Sequence, residues 1–353
     1  MPGSAPTSLR SIANRVEARL DELLTAERDR WATFDADLAK PIEEIRRLVL
    51  SGGKRLRPAF CHWGYVGAGG GTDDQLDVDA GAAFELMHAF ALFHDDVMDD
   101  AATRRGQPTT HAAAAVDHAS NGWAGESRRF GEGVAILVGD LAFVYADQLL
   151  EAAPPEAMRV WNELRIELNI GQYLDILGSV QSIRDVDKAD RICRYKSGKY
   201  TIERPLHLGA LLAAPDRGDE LLPAFSAYGL PLGDAFQMRD DVMGAFGDAD
   251  LTGKPVGGDL REGKPTPLLA RAVRSATPDQ RAVLDLVGQP AMGDETVARI
   301  QQAIIDTGAL DELEAHIAAL TNTAIASLDA APITESAKTE LVALAHYVSW
   351  RSV

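Results

Sequence analysis

Cysteine is nearly missing from this chain of 353 residues: only Cys61 and Cys193 occur, with no metal-ligand spacing between them. That excludes a disulfide framework and a thiolate metal cluster, and a reducing compartment is expected. Positive charge is also short, with 35 Lys and Arg against 53 Asp and Glu and a formal net charge of −18. A surface of that sign argues against nucleic acid or an anionic membrane as the main partner, because both need a basic face. A small anionic substrate would then have to be met by local clusters of Lys and Arg set against the global field. No uncharged run approaches the length that spans a bilayer, and the opening stretch MPGSAPTSLRSIANRVEARL holds no apolar segment. A cytoplasmic protein is expected. Strand-like alternation bounded by turn dipeptides is almost absent as well.

What is present is helical periodicity. Stretches such as RVEARLDELLTAERDRW, IEEIRRLVL, AGAAFELMHAFALFHDDVMDD, AILVGDLAFVYADQLL, WNELRIELNIGQYLDILGSV and ELVALAHYVSW place apolar residues at three- and four-residue intervals. Breaks are expected at SGGKRLRP, VGAGGGTDDQ, DHASNGWAGESRRFGEG, AAPDRGDE and GDADLTGKPVGGDLREGKPTP, by their Gly, Pro and Asp content. With 46% hydrophobic residues and no long linker or shift of composition, one large all-α domain over residues 1–353 is expected, with a flexible N-terminus over 1–10. Several helices are apolar around most of their circumference, which makes them central.

One central helix ends in HDDVMDD, four carboxylates in seven positions. On a helix Asp95 and Asp99 point the same way, about 6 Å apart, and like charges so placed cost roughly 0.2–0.5 kcal/mol. An acidic, solvated helix end would account for them. Yet they follow an apolar run and sit at the negative end of the macrodipole, where acids are disfavoured. A hard cation resolves the conflict, and Mg²⁺ takes one or two carboxylates, waters and phosphate oxygens. A second cluster, GDAFQMRDDVMGAFGD, puts Asp240 and Asp241 after another apolar helical stretch. Two facing sites of this kind would hold several Mg²⁺ ions around one polyanion, which points to a diphosphate. Basic residues occur in short loops: Lys54, Arg55 and Arg57 in GGKRLRP, Arg104 and Arg105 in TRRGQPTTH, Lys196 and Lys199 in YKSGKYT, and Lys254 and Lys264 in the glycine-rich stretch. Each cluster alone serves equally as a solvated loop; together with two acidic motifs they suit phosphate, Arg by bidentate bonds and Lys as a point charge.

The ordered set GGKRLRP, ELMHAFALFHDDVMD, TRRGQPTTH, Gly139–Asp140, GQYLDI, KSGKYT, FQMRDDVMGAFGD and GKPVGGDLREGKPT resembles the trans-isoprenyl diphosphate synthases. The resemblance covers most of the chain. It implies antiparallel helices around a deep central cavity, usually in a homodimer, and condensation of isopentenyl diphosphate with an allylic diphosphate. It assigns Asp95, Asp99 and Asp240 to Mg²⁺, three ions in all, with Asp96 and Asp241 as supporting carboxylates. Lys54, Arg57, His88 and Arg105 would bind isopentenyl diphosphate. Arg104, Lys196, Lys254 and Lys264 would hold the allylic diphosphate, with Gln237 and Ser197 near its reactive carbon. Two positions depart from the pattern: Gly244 stands where many relatives carry Asp, and Ser197 where many carry Thr. Asp248, one turn further along, is the acid available to contribute through water at the first of these.

Phe90 and Met87 lie about 7 and 12 Å before Asp95 along the helix at 1.5 Å per residue. Their spacing suits core packing as well as a floor for the growing chain. The resemblance adds that a single aromatic at this position, with Ala91 beside it, looks like enzymes making the twenty-carbon geranylgeranyl product, with farnesyl or longer products as alternatives. His88 reads equally as a core histidine, and His94, His111 and His207 as structural ones. A terpene cyclase would also use acids and Mg²⁺ but needs no second diphosphate site such as GGKRLRP and the paired Arg. A noncatalytic partner subunit would tend to lose the acid pairs, and both are present.

Overall fold

A computed structural model describes residues 5–104, 106–181, 184–247, 257–290 and 292–350, the Lys196 side chain excepted. The fold is all-α, as the periodicity predicts, apart from a two-stranded antiparallel hairpin that pairs Arg104 with Gln107. The chain divides into two compact units: one of residues 7–62 and 71–154, the other chiefly of residues 63–70 and 155–353.

In the first unit, α1 (Thr7–Ala32) buries Leu9, Ile12, Val16, Leu20, Leu24 and Glu27, a stripe at three- and four-residue steps that leaves the opposite face polar. Its first turn lies inside the ten residues expected to be flexible. α2 (Ala39–Leu50) buries Ile42, Ile45 and Val49. After α3 (Leu56–Gly67) comes α4 (Gln75–Met98), which is buried almost all round over residues 80–87, so it is the central helix of this unit. Gly81 lets α1 come close, since a Cβ there would lie 2.8 Å from Val16 Cγ2. α5 (Thr110–Ser120) and α6 (Ser127–Leu149) follow. The polar stretch 117–133, expected to be one long break, is a loop only over residues 121–126; its remaining polar side chains lie on helix surfaces.

In the second unit, α7 (Pro155–Val180) leads to α8 (Val186–Cys193), whose N-cap Asp185 accepts from Lys188 N at 2.9 Å. A π-helical segment, Arg194–Glu203, runs without a break into α9 (Arg204–Ala213). α10 (Gly218–Phe246) is the long helix that carries the second acidic set. α11 (Gly258–Glu262), α12 (Pro267–Ser275), α13 (Pro278–Leu284), α14 (Asp294–Asp306), α15 (Ala309–Ser327) and α16 (Glu335–Trp350) complete the unit. Ala235, Met238 and Ala245 of α10 pack in one apolar cluster with Leu268, Ile300, Ile304, Leu313 and Ile317. No helix among the described residues is long and apolar enough to cross a membrane. Cys61 and Cys193 are both buried, and burial pushes both thiols up.

Candidate active site

The first acidic set closes α4. Asp95 is half-buried, Asp96 is buried at 5% exposure, and Asp99 is the exposed C-cap whose N–H donates to Asp95 O at 2.8 Å. Asp95 and Asp99 therefore share a face at the helix C-terminus, where the macrodipole opposes them. Asp96 is held from the hairpin: Arg104 donates to its Oδ1 through Nε at 2.8 Å and through a terminal nitrogen at 2.6 Å. The supporting carboxylate and the arginine assigned to the allylic diphosphate thus touch each other. Arg105 lies outside the described residues.

GGKRLRP enters from the same unit. Gly52 and Gly53 take φ of 91° and 158°, and Arg55 follows at 49°. That left-handed backbone is unusual for a side-chain-bearing residue, and buried bonds hold it there. Arg55 is 4% exposed and donates to Glu85 of α4, to Glu17 and to the Val49 carbonyl. The arginine in the middle of the motif is therefore an anchor that pins the loop to the central helix. Lys54, just before it, and Arg57, two residues after it, are half-buried, and so is His88, three residues after Glu85 on α4. Deeper along the helix, Met87 is fully buried. The half-buried Phe90 lies edge-on to His94 at 4.7 Å and to Phe143 of α6 at 4.8 Å. His94 in turn rests on Gly139, where a Cβ would lie 2.5 Å from the imidazole, and donates to the Ile136 carbonyl at 3.1 Å. That gives Gly139 of the Gly139–Asp140 pair a packing role.

The second acidic set lies on the last turns of α10. Asp240 is half-buried, and Asp241 is buried and accepts from Gln237 Nε2 at 2.9 Å through Oδ1. Its other oxygen, Oδ2, is buried with no hydrogen-bond partner. Burial pushes the Asp241 carboxyl well above the ordinary carboxylate range, the charge of Asp259 adds to that push, and the Gln237 bond opposes it. Gln237, expected near the reactive carbon, is thus the bonding partner of the supporting acid. Lys264 bonds Glu262 at 2.6 Å and lies 3.8 Å from Asp259. Lys254, Asp248 and the Lys196 side chain lie outside the described residues.

KSGKYT falls within the π-helical segment. Ser197 is half-buried, and Lys199 donates to Glu167 of α7, which also takes two bonds of 2.7 Å from Arg204. Burial raises the Glu167 carboxyl, but the bonds from Arg204 and Lys199 outweigh it, and the group ends below its ordinary value. His207, next in this network, is pushed down to about 3 by burial and by Arg204 and is a neutral ring at physiological pH, as a structural histidine should be. Sequence reasoning missed Arg55 as an anchor, and also Glu167, Arg204 and Phe143, because each acts through a partner far away in the chain.

Among the described residues no group of three or more His, Cys, Asp or Glu side chains is placed to hold a metal by itself. Two-carboxylate sets nevertheless fit Mg²⁺, which draws its remaining ligands from water and phosphate oxygens. The donors are all hard carboxylate oxygens, and the buried, unbonded Asp241 Oδ2 is suited to accept from a metal-bound water.

A sequence profile of the polyprenyl synthetase family matches residues 39–304. The geranylfarnesyl diphosphate synthase of Aeropyrum pernix is 33% identical over 308 residues, which are 84% of this chain and 89% of that relative. The geranylgeranyl diphosphate synthase of Sulfolobus acidocaldarius is 33% identical over 260 residues, 71% of this chain and 72% of its own. The crystal structure of a Corynebacterium glutamicum geranylgeranyl pyrophosphate synthase, complexed with isoprenyl diphosphate and magnesium, superposes with a TM-score of 0.90 at 38% identity, covering 97% of this chain and 99% of the other. A profile match over most of the chain and relatives at 33% identity over more than two thirds of it show that the chain belongs to the polyprenyl synthetase family.

Proposed function

We propose that this prenyltransferase condenses isopentenyl diphosphate head-to-tail with an allylic diphosphate, with geranylgeranyl diphosphate as the main product, and that it works in the cytoplasm as a Mg²⁺-dependent homodimer. The observation that carries the reading is a parallel between the two acid sets. Each begins DDVM, each buries its second carboxylate against one neighbour (Asp96 with Arg104, Asp241 with Gln237), and each leaves the first carboxylate half-buried. A purely structural helix end has no reason to repeat that division of labour on two helices.

Asp95, Asp99 and Asp240 would hold the ions that bind the allylic diphosphate. Bound there, Mg²⁺ supplies positive charge to the leaving diphosphate as its bond to carbon breaks. The chain does the rest. Lys54, Arg57, His88 and Arg105 hold isopentenyl diphosphate by its own anion and so convert an encounter of two anions into a step within one complex. Arg104, Lys196, Lys254 and Lys264 add fixed donors to the allylic diphosphate. Met87 and Phe90 keep the path of the prenyl chain dry, so that water does not capture the allylic cation. The proton lost at the end goes to the released diphosphate, and no side-chain base is required.

The test is incubation with labelled isopentenyl diphosphate and each short allylic primer, followed by chromatography of the products. Asp95→Ala and Asp240→Ala should each lower turnover by about a hundredfold or more. Near-normal turnover in either variant, or consumption of the primer without isopentenyl diphosphate, would overturn the reading.

A further inference from the structure

The segment that carries KSGKYT departs from α-helical geometry in a specific way. Over Arg194–Glu203 the chain is π-helical, and at its end the Arg204 N–H donates to the carbonyl of Lys199, five residues back. π-Helical turns are rare, occur mostly as single turns inside α-helices, and are frequent at functional sites. The spacing matters for side chains. In an α-helix residues five apart point about 140° away from each other, at 3.6 residues per turn, and the residue stacked on Lys199 would be Glu203. With five-residue bonding Lys199 and Arg204 share a face instead. Both are taken by one carboxylate, Glu167 of α7: Lys199 donates to its Oε1, and Arg204 donates to both oxygens at 2.7 Å. All three side chains are at most 16% exposed.

We infer that Glu167 is a positioning residue that selects the π register of this segment and so sets how the backbone at Lys196 and Ser197 is rotated about the helix axis, a role that rests on the reading above of KSGKYT at the allylic diphosphate. The bridge spans five positions, so it forms in the π register and is broken in the α register. An α register would bring Glu203 towards Glu167 in place of Arg204, setting two carboxylates against each other across a largely buried contact. Glu203 is instead engaged on another side: it is buried at 4% exposure, and its Oε1 accepts from Ser226 of α10 at 2.6 Å. Both flanks of the segment are fixed as well. Arg194 donates to Asp234 of α10 through Nε at 3.2 Å, and α9 buries Leu206, Leu208 and Leu211. With the flanks held, the extra residue per turn has to lie between them, and Glu167 decides where. Without that carboxylate the segment relaxes, and Lys196 and Ser197 turn relative to α9.

The experiment measures steady-state rates of the full chain with Mg²⁺, varying the allylic primer and isopentenyl diphosphate in turn, alongside thermal unfolding. Glu167→Gln should raise KM for the primer about tenfold or more, since misplacing a positioned group by about 1 Å costs up to about a hundredfold, and should leave KM for isopentenyl diphosphate unchanged. Lys199→Met breaks half of the bridge, keeps Arg204 paired with Glu167, and should shift KM for the primer in the same direction; it decides the matter alone if Glu167→Gln does not fold. Because the bridge acts as one unit, the double variant should raise KM for the primer no further than Glu167→Gln does. A lower melting temperature with both KM values unchanged would make the bridge a pin for stability only. A parallel rise in both KM values would make the loosening general, and either result overturns the inference. Lys196→Met separates the two levels: if it leaves KM for the primer unchanged, the reading of KSGKYT fails and this inference falls with it. If Lys196→Met raises that KM while Glu167→Gln and Lys199→Met do not, only the inference fails.

Discussion

At the scale of single residues, Phe90 is where packing meets the chain-length role proposed for it. Its ring lies edge-on to Phe143 and His94 at centroid distances of 4.8 and 4.7 Å, so it is fixed by aromatic contacts while remaining half-buried. A ring held in this way makes a firm stop for a growing prenyl tail, whereas a mobile side chain would yield to it. Phe90→Ala should therefore shift the product spectrum beyond twenty carbons, read by chromatography of the hydrolysed products. Because the ring is only half-buried, its loss should cost no more than about 2 kcal/mol of stability, below the range for a fully buried Phe. An unchanged product distribution would remove Phe90 from the path of the chain. Phe143 packs on this ring from α6, a contact with no signature in its own sequence neighbourhood.

At the scale of elements, the informative feature is the crossing of α10 and the π-helical segment. Gly229 and Gly233 sit one turn apart on α10; a Cβ at the first would lie 2.9 Å from Glu203 Cα, and at the second 2.6 Å from the Gly198 carbonyl oxygen. Both obstacles are on the segment that carries Ser197, and the nearest atoms are backbone, which cannot swing aside. In an exposed helix Gly→Ala gains about 1 kcal/mol of helix propensity. Here overpacking against a backbone should cost about 1–3 kcal/mol and win. Gly233→Ala should thus lower the melting temperature and, by displacing KSGKYT, raise KM for the allylic diphosphate more than it lowers kcat; a variant as stable as the parent would show that the crossing has slack. The sequence makes the helices themselves legible, because burial on one face writes a stripe such as Leu9, Ile12, Val16, Leu20 and Leu24 into α1. It hides the π-helical segment, since an extra residue per turn depends on what packs against it, here Gly229 and Gly233. It also hides the true extent of the loop at 121–126, because surface helix residues are as polar as loop residues. Within the site, acids and bases were legible by type and spacing. Their pairing was not: Arg104 with Asp96, Gln237 with Asp241, and Asp259 beside Gly244 are outcomes of tertiary placement.

At the scale of the whole molecule, a formal charge of −18 sets the terms for self-association. Two copies of such a chain repel one another, so a homodimer has to rest on apolar surface, and its affinity should rise with ionic strength as the repulsion is screened. α6 offers that surface: Phe130, Leu137 and Val144 are exposed at seven-residue spacing, and Ile136 and, on α5, Val116 are exposed as well. Large apolar side chains in such a row are uncommon on a face that stays in water. A stable dimer buries about 1,200–2,000 Å² in total, and most of its binding energy falls on a few central side chains. Leu137→Asp together with Val144→Asp puts two charges in the middle of the row without touching any residue assigned to substrate. Sedimentation velocity at micromolar concentration should find the parent as a dimer and the double variant as a folded monomer, with the parent's dissociation greatest at low salt. A parent that sediments as a monomer, or a double variant that stays dimeric, would place the interface elsewhere or remove it.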